Sequence, residues 1–237
     1  MKPKPCLLID DCHTCAFRKN NVLCELEGDD LNAFLKIKRS LMYEPHQTVF
    51  YEGHACLGLY LLCAGKVKLT RSSARGQRQI VRILDSGELI EKHAFREGAT
   101  HEVTCETLER SQICLVDRTA YLSFLEKKGP LAVKVIQLLS REVGIALDQL
   151  DQFTFKSARE RLAGLLLDLA NRYGTNETDG MRLGIRLKRE ELAELAGITV
   201  ETVVRLLSAF QEESLLKLNG KDIHILNRDR LSKIARL

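Results

Sequence analysis

Glu201, Val204, Arg205 and Ser208 recur at helical spacing within GITVETVVRLLSAFQ, and their chemistry suits contact with base edges. Arginine grips O6 and N7 of guanine through two hydrogen bonds, glutamate accepts from N4 of cytosine, and valine suits the thymine methyl. Val203, Leu206, Leu207 and Phe210 claim the opposite, buried face of the same helix. Thr199 precedes it as an N-cap and extends the candidate set. Glu201 and Arg205 are also spaced for a plain surface ion pair of about 0.3 kcal/mol, and alone they favour that role. Their surroundings shift the reading. A short helix comes first, with Leu192, Leu195 and Ala196 on one face, and Gly197 supplies the permissive backbone of a sharp turn. LKLNGKDIHIL follows, two alternating runs joined by Asn-Gly, which signals a hairpin. Helix, turn, helix and hairpin make a winged helix-turn-helix. Lys217 and Lys221 on the hairpin suit phosphate contact, which positions a protein without reading sequence, although a hairpin lysine is more often merely solvated.

Cysteine is the second reactive type. Cys6, Cys12, Cys15 and Cys24 crowd the start of the chain, while Cys56, Cys63, Cys105 and Cys114 lie further on. In a chain with no secretory signal and no apolar run long enough to span a membrane, a cytoplasmic setting is expected, and thiols or metal ligands are favoured over disulfides. A lone C-x2-C such as Cys12 to Cys15 fits zinc, a redox dithiol or an iron–sulfur cluster. Cys56, Cys63 and Cys105 read as small buried hydrophobes.

The elements that must position these groups follow from patterning. At 237 residues, 45% hydrophobic and 29% charged, the chain accommodates two domains with proper cores. Its net charge of +4 permits nucleic-acid binding, but from residue 157 onward 14 Lys and Arg face 12 Asp and Glu, so affinity for DNA must come from placement. A helix is predicted from Asp29 to about Ser40, burying Leu31, Phe34, Leu35 and Ile37. From Gln47 to about Ser123 short β-rich runs punctuated by Gly53, Gly65, Gly76 and Gly87 predict a jelly roll or barrel. Pro130 then opens a long helix whose Ile136, Leu139, Val143, Ala146, Leu150 and Phe153 step by 3 and 4 residues, the narrow seam of a parallel pair. Asp148 and Asp151 flank that seam. A further amphipathic helix ends at Gly174, and TNETDG reads as a polar loop.

Taken in order, QTVFYEG, LYLLCAGKVK, SARERLAGLLLDLANR and above all GITVETVVRLLSAFQ resemble the CRP/FNR family of bacterial transcription regulators over essentially the whole chain, and most closely its FNR (fumarate and nitrate reduction regulator) iron–sulfur, oxygen-sensing branch. The resemblance implies an α+β fold: a cysteine-rich sensory segment (1–28), an N-terminal double-stranded β-helix, that is a jelly roll of the cyclic-nucleotide-binding type (29–128), a long dimerisation helix (129–156) and a C-terminal winged helix-turn-helix domain (157–237). It implies a homodimer on a palindromic DNA operator with one recognition helix per half-site, a TGA core read by Glu201 and Arg205, and RNA polymerase as a partner, with no membrane association. Where FNR-like helices carry Ser, this chain has Val204, so the outer base of the half-site is expected to differ.

The same resemblance implies a [4Fe–4S] cluster on Cys12, Cys15, Cys24 and Cys114, the last within LERSQICLVD. The third spacing departs from the pattern, C-x8-C in place of C-x5-C, and Cys6 is the substitute ligand if Cys24 does not reach. A structural zinc site, or bare thiols, is the alternative for the same cysteines. Cyclic AMP is disfavoured: Gly87-Glu88 is present, but Ala99-Thr100-His101-Glu102 stands where an Arg-Ser pair would hold the phosphate. Haem has candidate ligands in His46, His54, His93 and His101, none singled out. An apolar seam predicts that dimerisation is weakly opposed and that gating acts through domain orientation. An iron–sulfur electron carrier is the competing class, which would not need a winged helix. No nucleophile elbow, P-loop or dinucleotide fingerprint is present, so an enzyme is not expected.

Overall fold

The computed structural model describes Cys12, residues 26–90 and residues 93–236; the side chains of His93 and Asp151 fall outside the description, as do Cys6, Cys15 and Cys24. The chain divides into two compact units, Met1–Gly144 and Ile145–Leu237. Among the described residues no helix is long and apolar enough to cross a membrane.

The first unit opens with α1 (Gly28–Ile37), which buries Leu31 and Phe34. The helix stops three residues short of the expected Ser40, because Lys38 is already extended and begins β1 (Lys38–Tyr43). Strands β2 (Thr48–Phe50), β3 (Gly58–Ala64), β4 (Lys66–Ser72), β5 (Arg78–Asp85), β6 (Thr104–Thr107) and β7 (Ser111–Asp117) follow. They form two antiparallel sheets, ordered β1-β7-β3 and β2-β6-β4-β5. Successive side chains of a strand point to opposite faces, and β3 and β7 bury both. Tyr60, Leu62 and Ile113 enter a core shared with Phe50, Val67, Leu69, Leu84 and Cys105 of the second sheet. Leu59, Leu61, Cys114 and Val116 turn the other way, toward the helices. This two-sided burial explains the nearly unbroken apolar run LGLYLLCA.

The β texture ends sooner than Ser123. Asp117 accepts a hydrogen bond from the Ala120 N–H (2.9 Å) and caps α2 (Arg118–Glu126), a helix the sequence reading lacks. The long helix α3 (Gly129–Phe155) begins one residue before Pro130, and its Leu131 and Val135 join the core around Leu31, Phe34 and Tyr121.

In the second unit Ser157 and Glu160 form a reciprocal capping box at the start of α4 (Ala158–Tyr173), which buries Leu162, Leu166 and Leu169. The segment expected as a polar loop is a hairpin, β8 (Gly174–Glu177) and β9 (Gly180–Leu183). After α5 (Arg189–Ala196) and α6 (Val200–Glu212) come β10 (Leu216–Asn219) and β11 (Asp222–Ile225), and α7 (Arg228–Ala235) closes the chain. The wing is therefore a four-stranded sheet, β10-β11-β9-β8. Asn219 pairs with Asp222, so the turn residues are Gly220 and Lys221, one step beyond Asn-Gly. Gly220 has φ of 58°, and a glycine at the first central position is what the second class of tight hairpin turn requires. These two sheets, the long helix and the winged helix-turn-helix realise the expected α+β fold.

Candidate functional site

The turn between α5 and α6 is held from several sides. Gly197 adopts the left-handed conformation (φ 62°, ψ 44°) and caps α5. A Cβ there would meet the Phe153 ring at 2.7 Å, so glycine is required by conformation and by space. Arg161 of α4 donates to the carbonyl oxygens of Ala196 (2.9 Å) and Gly197 (3.2 Å), acceptors at the negative end of α5, and to that of Lys156 (2.9 Å), just past the end of α3. Its guanidinium lies 5.8 Å from the Phe153 ring centre. Arg159 donates to both carboxylate oxygens of Glu213 at 2.7 Å and sits 4.9 Å from the Phe210 ring, tying the end of α6 to α4. The sequence reading missed both arginines, since only the packing of α4 on the turn reveals their role.

On α6, Val203, Leu207 and Phe210 are buried while Glu201, Val204, Arg205 and Ser208 are all exposed. The Thr199 hydroxyl accepts from the Thr202 N–H (3.2 Å) and caps the helix. Backbone and Thr199 hydrogen bonds lower the Glu201 pKa, so the group is held as a carboxylate. Among the described residues Arg205 makes no ion pair or hydrogen bond, and the plain Glu201–Arg205 pair is not formed. Lys217 and Lys221 are exposed on the wing, Lys221 at its tip.

The thiols gather in the first unit. Cys12 and Cys114 are both buried in the core beneath α1 and α3. Lys38, the first residue of β1, donates from Nζ to Cys12 Sγ at 2.9 Å. Burial pulls the Lys38 pKa down, but the Cys12 hydrogen bond and the charges of Cys114, Cys12 and Cys63 outweigh it and raise the value. Cys114 faces Ser40 across one strand pair and Leu61 across the other. Cys63 lies where the β3–β7 register shifts, and its Sγ is 2.9 Å from that of Cys114. The Cys114 pKa is lowered to about 7, chiefly by the Cys63 hydrogen bond, with Lys38 and Ser40 adding to it and burial opposing it. Two of the four expected cluster ligands are thus brought together with a cation, a setting that favours thiolates, the ligands of iron–sulfur clusters. Cys15, Cys24 and the substitute Cys6 lie outside the described residues, and among the described residues no three His, Cys, Asp or Glu side chains group to hold a metal ion. Cys105 is fully buried between the sheets, as expected of a small hydrophobe, whereas Cys56 and Cys63 are only half-buried.

Elsewhere in the roll, Glu88 of Gly87-Glu88 accepts from Arg82 Nη2 (3.0 Å) and from the Asp85 N–H (2.7 Å), and Arg82 Nη1 reaches Glu142 of α3 at 2.7 Å. Glu102 pairs with Arg96 at 3.3 Å and Arg71 at 4.0 Å, so its charge is partly offset by cations. Among the described histidine side chains, His101 is buried and stacked 3.8 Å from Phe50, His54 lies against Tyr51, and exposed His46 is 3.7 Å from Glu106.

Residues 160–234 match the Crp-like helix-turn-helix domain and residues 41–128 the cyclic nucleotide-binding domain. The fumarate and nitrate reduction regulatory protein of Escherichia coli is 28% identical over 90% of this chain and 84% of its own length. The CRP-like cAMP-activated global transcriptional regulator of Mycobacterium tuberculosis is 26% identical over 89% of this chain and 94% of its own. In fold, a CooA mutant from Carboxydothermus hydrogenoformans superposes with a TM-score of 0.75 at 21% identity, over 91% of this chain and 95% of that one. The chain joins the two domains of CRP/FNR-type regulators. It is a DNA-binding transcription regulator of that type.

In this CRP/FNR regulator α3 carries an uncovered apolar stripe. Ile136, Val143 and Leu150 are each 62% exposed, and Leu147, absent from the expected seam, is 60% exposed. Ala146 is exposed, Leu139 is half-buried against the roll core, and the Phe153 ring lies beside Gly197. The exposed large side chains are thus Ile136, Val143, Leu147, Leu150 and Phe153, the last 42% exposed although its ring also lies beside Gly197, while Leu139 is packed against the roll core.

Proposed function

We propose that this regulator binds a palindromic, TGA-containing operator as a homodimer, and that its hold on DNA answers to oxygen or redox state through a [4Fe–4S] cluster on Cys12, Cys15, Cys24 and Cys114. The observation that carries the sensory half is the burial of Cys12 and Cys114, remote in sequence, around the single ammonium of Lys38. When bound, such a cluster supplies an oxidisable centre whose loss frees its cysteines. Lys38 offsets the negative charge of the thiolates, and its bond to Cys12 ties that residue to β1. Cys114, Leu131 and Val135 share one core, so a change at the thiols reaches the first turns of α3 through packed side chains.

On the DNA side Arg205 and Glu201 read bases, Val204 sets the outer base, Ser208 and Thr199 border the contact, and Lys217 and Lys221 hold phosphates. Support comes from the exposure of the α6 face and from the absence of an ion pair at Arg205 among the described residues. Dimerisation uses α3: Ile136, Val143 and Leu150 together with Leu147 present more apolar surface than an isolated helix keeps in water. Cyclic AMP is not the effector in this reading, because Glu88 is committed to Arg82 and Asp85, and Glu102 replaces the phosphate-binding pair.

Iron and acid-labile sulfide in anaerobically purified protein test the proposal. Brown protein containing both, with the colour lost in Cys114→Ala, is the expected result. Colourless protein, or protein carrying zinc in their place, would overturn the cluster assignment.

A further inference from the structure

In the first unit Cys114, a ligand of the proposed cluster, has a second sulfur beside it, Cys63, that the cluster does not use. Cys63 Sγ and Cys114 Sγ are 2.9 Å apart, on strands hydrogen-bonded to one another and 51 positions apart in sequence. The register sets Leu61 opposite Cys114 and slips between Leu62 and Ala64, so Cys63 swings toward Cys114 from the diagonal position on the same sheet face. An approach of about 0.9 Å would bring the sulfurs to bonded length. Cys12 is held by Lys38, Cys56 donates to the Gly58 carbonyl at 3.4 Å, and Cys105 lies in the other core. Access is asymmetric, since Cys63 is half-exposed and Cys114 is buried.

We infer that Cys63 and Cys114 form a reversible dithiol–disulfide pair that reacts with small-molecule disulfides. Cys63, the accessible thiol, attacks one sulfur of the small disulfide; the S–S bond breaks, one small thiol departs with the proton from Cys63, and a mixed disulfide remains on Cys63. Cys114 then attacks Cys63 Sγ, releasing the second small thiol with the proton from Cys114 and closing the Cys63–Cys114 bond. The two cysteines are oxidised, the small disulfide is reduced to two thiols, and atoms and electrons balance. The pair stands independently of the cluster. Where the cluster reading holds as well, a closed pair withholds Cys114 from iron, so the protein has a second redox state that bars cluster assembly.

The test uses full-length protein, reduced and desalted, exposed to glutathione disulfide, alkylated and digested for peptide mass mapping. Iron and sulfide are measured on the same preparation. A cross-linked peptide pair containing Cys63 and Cys114, abolished by dithiothreitol and retained in Cys105→Ala, is expected. Cys63→Ala should lose the cross-link and leave Cys114 alkylated only after unfolding. Free, alkylated Cys63 and Cys114 in treated wild-type protein, or a cross-link joining Cys12 to Cys114, would overturn the inference. Iron-free protein that forms the Cys63–Cys114 link removes the cluster and keeps the pair, whereas protein that carries iron and sulfide as purified but forms no link once its iron has been stripped does the reverse.

Discussion

The α6 face proposed to read bases and the thiol site are built on opposite principles. Glu201, Val204, Arg205 and Ser208 lie on one helix, exposed, while their buried neighbours Val203, Leu207 and Phe210 hold the helix in place. Cys12, Lys38, Cys63 and Cys114 come from separate segments and meet inside or at the edge of a core that also holds α1 and α3. A side chain on the first surface can change without disturbing the fold. A side chain in the second cannot, and that same burial gives a chemical event there a mechanical route to the long helix.

The contrast can be broken at its strongest point first. Arg205→Ala should cost about 1–3 kcal/mol of operator affinity per half-site while leaving denaturant stability within about 0.5 kcal/mol of wild type. Titration of the operator and of a scrambled duplex checks this, and unchanged operator preference would remove Arg205 from the reading face. Gly197→Ala forces a left-handed alanine, a cost of about 1–2 kcal/mol, and drives its Cβ into the Phe153 ring. Here stability and operator affinity should fall together, in contrast to Arg205→Ala. Leu147→Lys should shift light-scattering mass toward monomer more than Ala146→Lys does, because Leu147 presents the larger exposed apolar side chain. The smallest effect is expected of Lys217→Ala, which should weaken binding to all duplexes alike and lower the salt slope by about 1 per half-site.

How far each region was legible follows from the range of its contacts. Period and capping placed the α6 face, since Val203, Leu207, Phe210 and Thr199 act within a few residues of the side chains they position. The hairpin was legible too, but its turn fell on Gly220 and Lys221 because Asn219 keeps its partner Asp222 in the ladder. The seam was read by counting apolar residues, which favoured Leu139 and Phe153. Their additional contacts come from the roll core and from Gly197, which no count along the helix shows. β1 was hidden because KRSLMY continues a helical pattern and becomes a strand only by pairing with β7. For the same reason Lys38 and Cys63 went unnoticed: one needs that strand, the other the register slip in β3. Cys114 entered through family resemblance, and its proximity to Cys12 and Lys38 is purely tertiary.

One measurement bears most directly on the proposed control of the exposed α6 face by the buried thiols: operator affinity of a single anaerobic preparation before and after admission of air, with visible absorbance recorded on the same sample. The account predicts that absorbance and operator affinity fall together, and that Cys114→Ala starts at the low-affinity level. A preparation that keeps full operator affinity as its colour bleaches, or that has no colour to lose, would contradict it.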